Sequence, residues 1–394
     1  MKKRLLTLLT SAVGIVALSA CGPNTVDSEV KTYDFEGLGY VGNEYFAVKE
    51  YSYNLAVGGS KAISLESLPA SYNEGLIFVS KDPSIVTVNE AGIITGVKKG
   101  FTDVEISSKD GAVSEKAKVT VSESASKEAA QSTINAINAR YNDPSYVAPK
   151  KVLRHEYNIE TYSCEGVIDH GSKSVEEIAY DVENGYFFVA GPYLTYKVPY
   201  GQPEVSNGKW LFYTINQGLY VRMVHITSSA RNYYDLNTSL YTTNDEAIKA
   251  VLDIFFVNGR SIIENCLESY SGKEDFDQFS RYSGSKFSLV GDDSLYITYD
   301  EANSGEVVDA DDELNYYDIY ADTVYSYTYH QESLFANNLC QALTVDMTMS
   351  YKYQNKNWER KFIRSQYYES DFEISKVQDP KNNGYKLVES IYDL

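Results

Sequence analysis

The side chains best suited to catalysis or metal binding are few in this sequence and stand far apart. No two histidines have the spacing of a metal-ligand pair, so each is predicted to be a surface or strand histidine. The sequence has no Gly-rich phosphate loop, no GxSxG and no HExxH motif. We therefore predict no metal, no cofactor and no enzymatic activity. The four histidines are His155, His170, His225 and His330.

Tyrosine carries the main signal for binding. Of the 36 tyrosines, 30 follow residue 125, and each combines a large apolar ring with a hydroxyl that needs a partner. Alternate residues of a strand share a face, so a run with tyrosine at every second position builds one aromatic surface. Two interpretations stay open: a cover for a half-exposed sheet face, or a platform for sugars or acyl chains. The candidate ligand-binding residues are Tyr325, Tyr327, Tyr329, Tyr351 and Tyr353.

The acidic residues are many and form no recognisable site. Asp and Glu number 55 against 35 Lys and Arg, giving a net charge of −20. Such a surface repels phosphate backbones and anionic lipid, so nucleic acid is not an expected partner. The acidic stretch 308–313 lacks the glycine and the final glutamate of a calcium loop, because Leu314 and Tyr320 occupy those positions. It is predicted to be a solvated loop. Carboxylates beside tyrosines keep an extracytoplasmic glycan hydrolase as one alternative function.

Residues 1–20 have the pattern of a secretory signal peptide. Lys2, Lys3 and Arg4 precede an apolar run over 5–18 that is too short for a comfortable membrane span. The run ends in LSAC at 18–21, which resembles a bacterial lipoprotein lipobox. The resemblance implies that Cys21 is diacylated and anchors the protein on the extracytoplasmic face of the cell membrane, since two acyl chains suffice for stable anchoring. Residues 21–44 are predicted to be a flexible tether.

The other cysteines have no CxxC spacing. Outside the cytoplasm, three thiols can form one disulfide and leave one free thiol. The sequence leaves open which two of Cys164, Cys266 and Cys340 would pair.

Short β-prone runs separated by turn residues follow the tether, as expected of an all-β sandwich. Residues 78–88 read FVSKDPSIVTV and residues 92–100 read GIITGVKKG. Over 45–123 the sequence resembles the bacterial immunoglobulin-like group 2 family, with Phe78 where the family often has tryptophan. The resemblance implies a β-sandwich of bacterial surface and secreted proteins, without catalytic residues. We favour a spacer over an interaction module, because this copy is single and lies next to the anchor.

Residues 124–394 are predicted to form an α+β domain with one large antiparallel sheet and a few helices. A Ser-rich hinge over 122–126 precedes a helix over 130–141, and Asn184-Gly185 predicts a hairpin turn. A capping box, Thr243 to Glu246, begins another helix, and 334–343 is predicted to be a short helix. The order of helix, sheet and inserted helices resembles the LolA-like half-barrel lipoprotein carriers, which implies a lipid or other apolar cargo.

The sequence thus predicts a multidomain, lipid-anchored bacterial cell-surface protein with a non-catalytic binding or adhesion role. The expected partners are the membrane, through the anchor, and a glycan, lipid or surface-protein ligand. A carrier of apolar cargo and a glycan hydrolase remain the alternatives.

Overall fold

The computed structural model describes residues 31–34, 45–68, 74–109, 111, 114–197, 204–216, 219–227, 229–255, 259–307, 323–353, 355–375 and 377–394. Side chains are not described at 31–34, 45, 192–197, 204–207, 255, 259, 305–307, 323–324 and 353. Cys21, with the rest of the signal peptide, and the acidic stretch 308–313 lie outside the described residues.

The elements fall into an N-terminal set of short strands and a later set of long strands with four helices. The first strands are β1 Lys31–Asp34, β2 Tyr45–Val48, β3 Ser52–Leu55, β4 Ser60–Ala62, β5 Leu65–Leu68, β6 Ile77–Ser80, β7 Val86–Val88, β8 Ile93–Gly96, β9 Gly100–Ser107 and β10 Ser114–Val121. The later strands are β11 Glu123–Ala125, β12 Lys151–Cys164, β13 Val167–Asp181, β14 Tyr186–Lys197, β15 Glu204–Ile215, β16 Tyr220–Ile226, β17 Arg231–Asn237, β18 Ser285–Gly291, β19 Ser294–Val307, β20 Thr323–Ala336, β21 Leu339–Tyr353, β22 Lys356–Glu369, β23 Phe372–Ser375 and β24 Lys386–Leu387. The helices are α1 Lys127–Tyr141, α2 Asn244–Phe255, α3 Gly259–Ser271 and α4 Lys273–Arg281.

Strands β2 to β10 form a sandwich. Four strands pair in the order β3-β10-β9-β6, three pair in the order β4-β8-β7, and β2 pairs with β5. Alternate residues of β9 point inward, so Val104 and Ile106 are fully buried between polar neighbours. They meet Val86 and Ile94 of the other sheet in one apolar core. The predicted immunoglobulin-like sandwich is therefore confirmed.

The later strands form one sheet of 13 strands in the order β11-β18-β19-β20-β21-β22-β12-β13-β14-β15-β16-β17-β24. All of its neighbouring strands are antiparallel except β17 and β24. Most neighbours in this sheet are also neighbours in the chain, because each hairpin turn returns the chain beside the strand just completed. The predicted α+β class with a large antiparallel sheet is confirmed.

All four helices pack on one face of the 13-stranded sheet, which we call the helix face. Helix α1 begins at its N-cap Ser126 and buries Ala130, Ile134 and Ile137. Half of the predicted capping box is present, since Glu246 N–H donates to Thr243 Oγ1 at 3.3 Å and Thr243 thus caps α2. The buried helix residues join those of the sheet in one apolar cluster that reaches from Ala130 to Tyr368.

The immunoglobulin-like sandwich packs on the opposite face of the sheet, over β12, β13 and β22. The backbone N–H of Tyr51 donates to Ser365 Oγ at 2.7 Å, and Lys116 Nζ lies 2.8 Å from Glu369 Oε2. Tyr157 of β12 lies in the core cluster of the sandwich, and its hydroxyl donates to Glu66 at 3.0 Å. The sandwich is therefore held against the sheet by both apolar and charged contacts.

Two local predictions were wrong. The predicted hinge over 122–126 contains β11, which pairs with β18, and its serines are used in hydrogen bonds: Ser122 Oγ donates to Asn54 at 2.6 Å and Ser126 caps α1. The predicted helix over 334–343 is the hairpin between β20 and β21, which turns at Asn337 and Asn338 with φ of 55° and 58°. The strand ends here are buried on both faces, so the apolar residues run on without strand alternation.

Strand β1 lies within the segment predicted to be a tether. It pairs in parallel with β23, with Lys31 opposite Phe372. Four residues of this segment therefore lie along the edge of the later part of the chain.

Candidate functional site

The predicted tyrosines lie together on the helix face. Tyr325 is directly opposite Tyr351 and Tyr329 is opposite Met347, and directly paired residues of neighbouring strands share a face. The Tyr325 and Tyr327 rings are 6.4 Å apart and within 6° of parallel. Tyr353 belongs to β21 by its backbone, but its side chain lies outside the described residues.

These tyrosines continue into aromatic side chains of three further strands. The Tyr351 ring stacks on the Trp358 ring of β22 with centroids 6.5 Å apart. Trp358 is opposite Cys164, which shares the helix face with Tyr162, and the Tyr162 ring stacks on His170 of β13 at 4.3 Å. We call this set the aromatic row; it runs across β20, β21, β22, β12 and β13. It consists of Tyr325, Tyr351, Trp358, Tyr162 and His170.

The aromatic row is half-exposed. Tyr351 is 8% exposed, while Tyr325, Trp358, Tyr162 and His170 are intermediate. The Trp358 Nε1 is buried and has no hydrogen-bond partner among the described residues. The row therefore offers ring surface to a ligand.

Carboxylates fix the polar groups beside the row. Arg360 packs over the Tyr162 ring at 5.3 Å, and its Nε donates to Glu160 Oε1 at 2.6 Å. On the other side, the Tyr327 hydroxyl donates to Glu301 at 2.8 Å. Burial and this hydrogen bond raise the pKa of Tyr327 to about 12. Tyr327 therefore stays neutral at any physiological pH.

The row lies far along the strands from the place where the end of α3 contacts the sheet. Tyr270 of α3 stacks on Tyr368 of β22 at 5.8 Å, and Tyr368 is ten residues from Trp358 along that strand. Ten strand residues span about 33 Å. The aromatic row is therefore a separate surface from the packed contact between α3 and the sheet.

A buried charged cluster lies under α3 and was not found from the sequence. Glu156 is 0% exposed, and it lies 3.4 Å from Arg154 Nη2 and 3.5 Å from Arg364 Nε. Gln366 Nε2 also donates to it. Glu176, 2% exposed, lies 3.5 Å from Arg154. The only signal in the sequence was polar residues on alternate positions of β12 and β22, and that pattern also describes a solvated face.

The two acids of this cluster have opposite pKa shifts. Burial favours the neutral acid in both, and the Glu156 charge further raises the pKa of Glu176, to about 7. Arg154 and Arg364 outweigh burial at Glu156 and lower its pKa. Such a split is common in acid–base pairs of hydrolases. Here both carboxyls are almost fully buried and held by arginine, which favours a structural role.

The histidines lie in separate surroundings. His225 stacks on Trp210 with centroids 3.6 Å apart, and His330 lies between Asp300 and Glu332. Across the ranges that the structure describes, no group of three potential metal ligands occurs. Cys164, Cys266 and Cys340 are all free thiols, so the expectation of one disulfide among them was wrong.

Cys21, the predicted membrane anchor, lies outside the ranges that the structure describes. None of the helices in those ranges combines the length and the apolar character needed to cross a bilayer.

Comparisons with known proteins identify a family only for the N-terminal sandwich. Among solved structures, three that are similar to parts of this chain have TM-scores of 0.16 to 0.22. An intimin mutant of EHEC O157:H7 is 15% identical, over 26% of this chain and 56% of that chain, with a TM-score of 0.16. Lipovitellin is 8% identical, over 58% of this chain and 26% of that chain, with a TM-score of 0.22. A beta-barrel-like protein of the DUF1849 domain from Brucella abortus is 11% identical, over 57% and 99%, with a TM-score of 0.19.

The chain thus spans about half of the intimin chain and a quarter of the lipovitellin chain. No curated protein matches the sequence. The model of the bacterial Ig-like domain (group 2) matches residues 45–121. That part of the chain is therefore a bacterial Ig-like domain of group 2, as its strand and turn pattern predicted.

Proposed function

We propose that this protein is a lipid-anchored bacterial surface protein that binds a glycan outside the membrane without converting it chemically. The aromatic row carries this proposal, because half-exposed stacked rings beside fixed carboxylates suit the apolar faces and hydroxyls of sugars. An apolar patch of this kind on an acidic chain is typical of a binding surface.

The Ig-like domain sets how the aromatic row is presented. Its contacts with Ser365, Glu369 and Tyr157 tie it to the face of the sheet opposite the row. It therefore acts as a rigid spacer domain between the anchor and the binding surface, and this arrangement fits an adhesion role. A free spacer would need few contacts with the domain it carries.

A carrier of apolar cargo is the weaker alternative. A half-barrel carrier needs room for acyl chains between helices and sheet. In the described part of this chain, that space contains one continuous cluster of buried side chains from α1, α2, α3 and α4. A glycan hydrolase is weaker still, because the paired acids Glu156 and Glu176 are buried.

Replacing one aromatic side chain of the row is expected to weaken glycan binding. In a soluble form starting at residue 22, Trp358→Ala and Tyr325→Ala should each weaken binding by about 5- to 13-fold, because one lost aromatic contact costs roughly 1–1.5 kcal/mol. The measurement is a glycan array followed by calorimetric titration of the best neutral glycan. Tyr392→Ala, at a tyrosine that is 88% exposed and outside the row, is the matched control.

Equal binding by all three variants would exclude the row as the binding surface. An acyl lipid co-purifying at fixed stoichiometry, seen by native mass spectrometry, would favour the carrier instead.

Cys21→Ser is expected to release the full-length protein from the membrane. Loss of the two acyl chains removes the anchor, and surface charge cannot replace it at −20. Cell fractionation should find the variant in the soluble fraction, while Cys164→Ser stays with the membrane. If Cys21→Ser stays with the membrane even after residues 1–20 have been cleaved, Cys21 is not the anchor.

A further inference from the structure

A cleft lies at the other end of the long strands. Its volume is about 720 Å³, within the range of small-ligand sites. The loop between α1 and β12 forms one wall, and the hairpin turns after β13 and β20 form another. Tyr270 of α3 and Ser370, just after β22, also line it. We call it the turn-end cleft.

The charges that line the turn-end cleft are balanced and largely paired. Lys150 Nζ lies 3.8 Å from Glu183, and Lys151 Nζ lies 4.0 Å from the 5%-exposed Asp181. Arg140 pairs with Asp293 at 3.0 Å. Each of these charged side chains already has a partner of opposite charge. A ligand with a net charge would therefore find no unpaired opposite charge among them. The cleft therefore favours a neutral ligand.

Amide groups supply the hydrogen-bonding capacity that remains. Asp181 accepts from the backbone N–H and from Nδ2 of Asn184, at 3.0 and 2.8 Å, which fixes this amide at the edge of the cleft. Asn338 Oδ1 is buried and has no partner among the described residues. An unpaired buried acceptor is destabilising, and a hydroxyl donor brought by a ligand would pair with it.

We propose that the turn-end cleft is a second binding site, and that it takes a short neutral oligosaccharide. A sugar hydroxyl both donates and accepts, so it matches amides such as Asn184 and Asn338, which offer a donor and an acceptor side by side. This inference rests on the proposed glycan-binding function and adds a site to it.

The two sites are too far apart for one short ligand. Ser370 of the cleft is 12 residues from Trp358 of the aromatic row along the same stretch of chain, or about 40 Å if extended. The protein would thus bind a glycan at both ends of its sheet. Two weak sites on one rigid body hold a polymer or a glycan-covered surface more tightly than either site alone.

The test first replaces one side chain of the aromatic row and then adds a replacement in the cleft. The probes are maltotriose, cellotriose and chitotriose, titrated calorimetrically into the soluble chain from residue 22. In Trp358→Ala, binding at the cleft should remain for at least one trisaccharide. Adding Asn338→Gly should weaken that binding at least fivefold. Glycine accepts the left-handed backbone that Asn338 adopts at φ 58° and removes its side chain, including the amide.

Asn355→Gly is the matched control. Asn355 has φ 64° in the turn between β21 and β22, at the opposite end of the strands, and should leave the affinity at the cleft unchanged. Loss of all binding in Trp358→Ala would contradict the proposal that the cleft binds a glycan, and it would leave the proposed function of the aromatic row unchanged. Binding that survives Asn338→Gly would likewise overturn the cleft. If the unaltered protein binds glycans on the array but none of these probes, the cleft proposal fails while the general function holds.

Discussion

Replacing Glu156 by alanine is expected to lower the free energy of unfolding by about 3–5 kcal/mol. Glu156 is fully buried and lies between two arginines that are themselves almost fully buried. Its removal leaves Arg154 and Arg364 with less compensating charge in a site that water does not reach. It also removes the acceptor for the Gln366 amide.

Urea unfolding followed by circular dichroism measures this loss. Glu123→Ala is the control, because Glu123 forms an ion pair with Lys99 at 3.1 Å while its side chain is 70% exposed. Exposed pairs of this kind contribute about 0–1 kcal/mol. A loss below 1 kcal/mol for Glu156→Ala would mean that Arg154 and Arg364 find other partners or water, and that the cluster is not a stability element.

The second large effect is expected at His155, where the Ig-like domain meets the sheet. Its Nδ1 lies 3.1 Å from Glu177 and 3.9 Å from Glu115 of the Ig-like domain, and its Nε2 lies 3.2 Å from Glu369. Lys116 of the Ig-like domain also contacts Glu369. Burial alone would lower the pKa of His155, but the hydrogen bonds to Glu177 and Glu369 and the surrounding carboxylates raise it to about 9.

This raised pKa gives the stability a definite pH dependence. Protonated His155 adds its full contribution to the free energy of unfolding below the ordinary histidine pKa of about 6.5. This contribution is lost as pH rises through about 9. The free energy of unfolding should therefore fall by roughly 2–3 kcal/mol across this window. Tyr51 and Tyr367, which face the same site, do not titrate there, because burial raises the pKa of each well above 10.

Urea unfolding at pH 6.5, 8 and 9.5 would measure the effect. His155→Gln should lose most of the slope between these pH values, whereas His170→Gln, at the half-exposed histidine of the aromatic row, should keep it. A slope that is the same in His155→Gln and in the unaltered protein would show that other groups carry the pH dependence.

Local patterns account for what the sequence predicted correctly. The strands and turns of 45–121 are short and repeat close together, so their order is readable from neighbouring residues alone. The same holds for the helix cap at Thr243 and for the hairpin that follows Asp181, where a tight turn decides the pairing. These elements fixed the fold class and the presence of the Ig-like domain. The signal peptide and Cys21 remain predictions.

Contacts between distant residues were decided only by the tertiary structure. The alternation of β12 shows that Arg154 and Glu156 share one face and His155 lies on the other. It does not show that α3 covers the first face and the Ig-like domain the second. The aromatic row joins Tyr162 to Trp358 across almost 200 residues of sequence, because β12 pairs with β22 in one register. The sequence alone shows the two-residue period of each strand. The register between strands, and which helix or domain packs on each face, depend on how the whole sheet assembles.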